Sequence, residues 1–213
     1  MTVLQAVLGF GAIAAVLTVI PGLDTMLVLR SSLVNGRSHG FAAAVGVNLG
    51  ALTWGAAAAL GAAALVAASK IAYSIVTYVG VAYMVYLGAS MIWKSCRKVP
   101  QRADVLIDAA PAPLWRSFVN GFTTNLLNPK IGIFYIATIP QFIPSGVPNL
   151  PMGLLLAGVH VVLGMLWLGL VTMGASMARR WLSTPFAQRI VDRVAGVVLI
   201  GFGAEIAWRT ARA

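Results

Sequence analysis

Two short motifs place polar chemistry in surroundings that are otherwise apolar. Pro21-Gly22-Leu23-Asp24 interrupts an apolar run from Val3 to Leu29, and Asn128-Pro129-Lys130 interrupts another from Ser117 to Ile139. Proline removes a backbone donor and clashes with the preceding turn, while glycine relaxes the chain, so each motif breaks or kinks its helix. Broken backbone at membrane depth is tolerated only against protein or a water-filled cavity. Each break also carries one charge, Asp24 after the first and Lys130 after the second. A lone Asp or Lys at the centre of a membrane helix costs about 2.5 to 3.5 kcal/mol on insertion scales, so each needs a partner or water. Two roles fit. Asp24 binds a cationic group or carries a coupling proton while Lys130 and the freed amides hold an anionic group, as a zwitterion would require. Alternatively, the two charges form a structural ion pair that closes the broken helices.

Other polar residues within apolar runs extend this candidate pathway, which comprises Pro21, Gly22, Asp24, Asn48, Asn125, Asn128, Pro129, Lys130 and Gln141. The amides of Asn48 and Asn125 donate and accept hydrogen bonds at once and could read a substrate's polar ends; the alternative is interhelical bonding worth about 0.6 kcal/mol per pair. Gln141, between Pro140 and Phe142, lines an exit or sits in a plain loop. His160, near a helix start, reads as an ordinary hydrogen-bonded residue and stays outside the site. Glu205, just before Trp208 and Arg209, reads as interfacial. Gly46 and Gly50 form a GxxxG spacing, and Gly164, Gly169 and Gly174 punctuate a later run; both patterns read as close helix packing.

The elements that must hold these residues are hydrophobic helices. Of 213 residues, 60% are apolar and only 9% charged, and the mean hydropathy is +0.90. A soluble domain carries about 25% charged residues, so a soluble fold is excluded. Apolar runs fall at Val3 to Leu29, Phe41 to Ala67, Ile71 to Trp93, Ser117 to Ile139, Leu150 to Met177 and Ile190 to Trp208. These predict an all-α integral membrane fold of six hydrophobic helices. Nothing basic precedes the first run, so it is retained rather than cleaved as a signal peptide. Aligning Pro21 with Pro129 superposes the hydrophobic flanks of two halves, about 1–93 and 117–208, joined by a cytoplasmic connector at 94–116. With three segments each, the halves enter the membrane oppositely, giving a 3+3 inverted repeat with broken first and fourth helices in one transport domain, residues 1–213. Whether every segment crosses fully, or one is re-entrant, stays open at this level.

Charge sets orientation. With the N-terminus outside, cytoplasmic loops carry Arg30, Arg37, Lys94, Arg97, Lys98, Arg102, Arg116, Arg179, Arg180, Arg189 and Arg193, whereas the outer side carries Lys70, Arg209 and Arg212. This asymmetry predicts both termini outside. Trp93, Trp115 and Trp181 fall at the cytoplasmic ends of their segments, in keeping with that topology. The net charge of +10 lies between apolar runs rather than in a patch, so it marks topology and not nucleic-acid binding. Cys96 is the single cysteine, which excludes an intrachain disulfide and a thiolate cluster. Five acids, with Asp104, Asp108 and Asp192 in apparent loops or loop edges, make a poor metal path. No GxSxG occurs, and His39 lies in a basic loop, so a membrane hydrolase would rest on His160 and an arbitrary serine. No cofactor is expected.

The chain resembles the LysE/RhtB family of amino-acid exporters over nearly its whole length. The resemblance rests on Pro21-Gly22-Leu23-Asp24, Leu27-Val28-Leu29-Arg30, Gly36-Arg37, Gly40-Phe41, Gly46 and Gly50, on Gly80, Tyr83 and Leu87-Gly88, and on Gly121-Phe122, Asn125 to Lys130, Phe134 and Pro140-Gln141-Phe142. Leu23 stands where the family commonly has a second proline, which makes this break less rigid. The resemblance implies export of amino acids or close derivatives, in exchange for protons, across the bacterial inner membrane. The expected partners are thus an amino acid, protons and the lipid bilayer, and glycine-rich faces could also support a homodimer.

Overall fold

The computed structural model describes residues 1–68, 70–96, 113–177 and 185–211. Most of the predicted connector, with Arg97, Lys98, Arg102, Asp104 and Asp108, lies outside the described residues, as do Arg179, Arg180, Trp181 and Arg212. The described residues are helical and contain no strand.

The first apolar run forms two helices. Helix α1 (Val3–Val19) starts with a reciprocal cap in which Thr2 Oγ1 accepts from the Gln5 amide and Gln5 Oε1 accepts from the Thr2 amide. It stops before Pro21, and α2 (Leu23–Asn35) resumes at a 52° bend with Gly22 as its N-cap. Gly36, at φ 90°, closes α2 in a conformation that suits glycine, and α3 (Arg37–Ala68) starts on the next residue. His39 therefore sits in the first turn of α3 rather than in a loop, because one glycine makes the whole connection.

Helix α4 (Lys70–Ser95) follows. The fourth run is broken as the first is, into α5 (Leu114–Leu126) and α6 (Pro129–Thr138), with Asn128 as N-cap and Pro129 at the first helical position. A 3-10 turn, Ile139–Phe142, leads on towards α7 (Asn149–Met173). The last helix is α8 (Pro185–Ala211). It opens at proline, whose fixed φ suits a first turn, so Asp192 lies on a helix and not at a loop edge. Among the described residues, two helices are long and apolar enough to cross a membrane, residues 37–61 of α3 and all of α7, and the bent pair α1–α2 makes a third candidate span.

Helix α3 is the hub, packing most extensively on α5 and α7 and then on α2, while α4 packs on α8. Missing side chains allow this closeness. A β-carbon on Gly46 would strike the Phe118 carbonyl, one on Gly121 would strike the Ala43 carbonyl, and one on Gly50 would come within 2.8 Å of Asn125 Oδ1. The GxxxG glycines of α3 thus seat α5 within the same chain. Helices α3 and α7 run in opposite senses, with Gly40 against Thr172, Asn48 against Gly164 and Gly55 against Ala157. Phe10 of α1 anchors the second break from outside the cleft, with ring centroids 5.8 Å from Phe134 and 6.0 Å from Phe142.

Substitution at the α3–α5 contact should therefore be costly. Gly46→Ala and Gly121→Ala are each expected to destabilise the protein by about 1–3 kcal/mol, whereas Gly61→Ala, where a β-carbon meets nothing within 4 Å, should be neutral or slightly stabilising. Unfolding in detergent distinguishes them, and equal tolerance of all three would refute the close-packing account.

Candidate transport cleft

The two breaks meet. Asp24 occupies the first turn of α2, where the positive end of the helix dipole favours a carboxylate. Its Oδ2 accepts two hydrogen bonds from the other broken pair, from Asn125 Nδ2 at 3.0 Å and Asn128 Nδ2 at 3.2 Å. Asn128 is fixed by a second bond, since its Oδ1 accepts from the Lys130 amide at 3.1 Å and so caps α6. An amide N–H can only donate, so the Asn128 Oδ1 must face it and its NH2 must face Asp24. One side chain thus starts α6 and binds it to α2.

Around this junction lies a small cleft. Its polar lining comes from Thr18, Gly22, Asp24 and Thr25 around the first break, Asn125, Asn128 and Lys130 at the second, Asn48 on α3, and His160, Gly164 and Trp167 on α7. Leu17, Ile20, Val47, Ala51, Ile131 and Leu168 make the apolar remainder. Lys130 reaches towards the first break, its Nζ 3.8 Å from where a β-carbon on Gly22 would sit.

Several polar atoms in the cleft are buried yet unused. Among the described residues, Asp24 Oδ1 accepts no hydrogen bond and Trp167 Nε1 donates none, while Asn125 Oδ1, also without a hydrogen bond, packs against Gly50. Buried polar groups are nearly always satisfied, and leaving one unmade costs about 1–3 kcal/mol. Asp24 Oδ1 and Trp167 Nε1 thus leave one acceptor and one donor of cleft-lining residues without a partner among the described residues. Helix α2 adds to the donor side, because Gly22 gives its first turn no side-chain cap.

Of the sequence-predicted residues, Gly22, Asp24, Asn48, Asn125, Asn128 and Lys130 all line the cleft. Pro21 and Pro129 act through the backbone, by making the breaks. Gln141 is elsewhere: its Nε2 donates to Thr77 Oγ1 of α4 at 3.0 Å, tying the 3-10 turn to that helix. Asn48 donates to the Ala44 carbonyl of its own helix at 2.8 Å and abuts Gly164. The sequence reading missed His160, Trp167 and Thr25. The available signal was the spacing of His160, Gly164 and Trp167, which puts all three on one face of α7. His39 is also engaged, its Nδ1 2.9 Å from Ser117 Oγ across the α3–α5 contact. Among the described residues, no three His, Cys, Asp or Glu side chains gather as metal ligands would.

Loss of the Asn128 side chain removes a helix cap and one donor to Asp24 together. Asn128→Ala is expected to cost about 1–3 kcal/mol of stability, falling to about 1 kcal/mol when Asp24→Ala is already present, because only the cap is then lost. Equilibrium unfolding of the single and double variants measures the difference, and strict additivity would show that the Asp24 bond contributes nothing.

Comparison with known proteins identifies the family. The LysE type translocator profile matches residues 15–210. The chain is 31% identical to the uncharacterized membrane protein YrhP of Bacillus subtilis over 94% of this chain and 97% of that protein. It is 26% identical to a leucine efflux protein of Klebsiella pneumoniae over 91% of each chain, and 28% identical to the uncharacterized membrane protein PA4757 of Pseudomonas aeruginosa over 90% of this chain and 89% of that protein. No solved structure matches. With a family match that covers both helix breaks and most of the chain, the protein belongs to the LysE type translocators and is a membrane transporter rather than an enzyme.

Proposed function

We propose that the protein exports amino acids or close derivatives from the cytoplasm by exchange with protons, and that the cleft between the two broken helices is where both bind. The observation that carries this reading is the division of unused polar atoms. Asp24 Oδ1 is an acceptor suited to an ammonium group, while Trp167 Nε1 and the uncapped first turn of α2 suit a carboxylate, with the charge of Lys130 in the same lining. The apolar part of the lining suits an uncharged side chain, in keeping with relatives named as leucine efflux proteins.

Antiport follows from competition at one group. A carboxylate that holds a proton loses its attraction for an ammonium ion, so proton and substrate exclude one another at Asp24. Release of substrate to the outside then leaves Asp24 ready for a proton, and release of the proton inside readies it for the next substrate. Asn125 and Asn128 keep Oδ2 occupied throughout, which leaves Oδ1 as the exchanging atom.

Alternation between the two sides would come from a 3+3 inverted repeat within a single domain, residues 1–213. Pro21 and Pro129 are 108 positions apart, and so are Gly88 and Gly196. Those two glycines meet across α4 and α8, each 2.6 Å from the other's carbonyl if given a β-carbon. Residues equivalent by sequence offset touch one another near a two-fold axis, and the antiparallel pairing of α3 with α7 fits the same relation. The loop charges favour a bacterial inner-membrane protein with both termini outside.

Two experiments test this reading. Proteoliposomes preloaded with mixed amino acids are expected to lose one or a few of them under an imposed proton gradient, and Asp24→Asn should reduce gradient-driven efflux at least tenfold. Loss of no amino acid from correctly inserted protein would overturn the exporter reading and turn attention to other metabolites or metal ions. Gradient-driven flux that survives Asp24→Asn would instead remove only the coupling role. For topology, Cys96 is exposed at the end of α4 and unique, so a membrane-impermeant maleimide should label it in permeabilised but not intact cells. Labelling in intact cells would reverse the orientation.

A further inference from the structure

His160 is the one imidazole that lines the cleft, and its surroundings fix how it can act there. Its Nδ1 lies 2.8 Å from Tyr135 Oη, and the two rings stack nearly parallel, 19° apart in plane with centroids separated by 5.5 Å. Phe134 closes another side, edge-on at 5.9 Å. Tyr135 is fully buried and His160 nearly so, so neither ring can turn freely.

The hydrogen-bond inventory then decides which atom faces the substrate. If His160 Nδ1–H donated to Tyr135, the tyrosine O–H would itself need an acceptor, and none is present among the described residues. If Tyr135 donates to Nδ1, every hydrogen of the pair is used except one, the Nε2–H of the imidazole. A second proton on the ring would not change the sense, because Nε2 would still carry hydrogen. The arrangement that wastes no buried donor therefore presents a single N–H into the cleft.

We infer that His160, held by Tyr135, donates from Nε2 to the substrate carboxylate and so is a specificity-determining residue of the transport site. This rests on the amino-acid reading given above and adds a residue to it. The role suits the position of His160 on the α7 face that also carries Trp167, whose indole N–H is likewise unused. Those two N–H groups are neutral donors, and Lys130 of α6 is the cation that shares the cleft with them. Tyr135 is not itself part of the cleft lining and acts as a positioning residue.

The test compares two probes that differ only at the carboxylate, leucine and 3-methylbutylamine, by calorimetry on the purified full chain in lipid nanodiscs. His160→Ala should weaken leucine binding about tenfold or more, as for a hydrogen bond to a charged group, while changing amine binding less than about twofold. His160→Gln, which keeps a donor near the Nε2 position, should recover most of the loss. Tyr135→Phe should weaken leucine binding a few-fold in otherwise unaltered protein and have no effect once His160→Ala is present. Equal weakening of both probes, or of neither, would overturn the assignment while leaving the exporter reading intact, as would a Gln variant as defective as Ala. Failure of the unsubstituted protein to bind leucine would remove the leucine-like substrate reading, and this assignment with it.

Discussion

Everything in the candidate site depends on one carboxylate oxygen shared between two side-chain amides. Asp24 Oδ2 draws Asn125 and Asn128 from the second broken helix onto the first, and Asn128 can comply because its other end is occupied in capping α6. A charge with no donors around it would not remain in such surroundings. With two amides on one oxygen, the group is held in place while its other oxygen stays available. The junction thus fastens the two broken helices together, and it is there that we propose a ligand binds.

That fastening works only because the helices behind it approach so closely. Gly46, Gly50 and Gly121 bring the α3 and α5 backbones nearly into contact, and Gly50 leaves room for the Asn125 side chain that reaches Asp24. On the other side, Gly164 lets α7 lie against Asn48. Without lipid-driven separation of apolar from polar, packing and a few buried polar bonds must supply the specificity of helix association. The glycines determine which helices touch, and the amides determine at what depth.

Much of this was legible from residue types in order. The breaks could be read from Pro21-Gly22 and Asn128-Pro129, because proline acts on the backbone within one turn and needs no distant partner. Asp24, Asn125, Asn128 and Lys130 stood out because polar groups in apolar runs are expensive. Gln141 reads from sequence as an exit-lining residue or a plain loop position because of its place between Pro140 and Phe142, and its bond to Thr77, a residue far away in sequence, has no signal there. His160 has no distinctive signal in the sequence because a single histidine has many ordinary uses, and only Tyr135 beside it reveals the constraint on its ring.

The sequence by itself determined that the chain is helical and membrane-embedded, where two of its helices break, and which few side chains are too polar for lipid. These follow from local rules of hydrophobicity and backbone sterics. Tertiary structure decided which oxygen of Asp24 is satisfied and which is open, which face of α7 meets the cleft, and which of the buried amides serve the site. Those depend on distances between residues about a hundred positions apart, set by how closely glycine-lined helices can approach, and no local pattern encodes them.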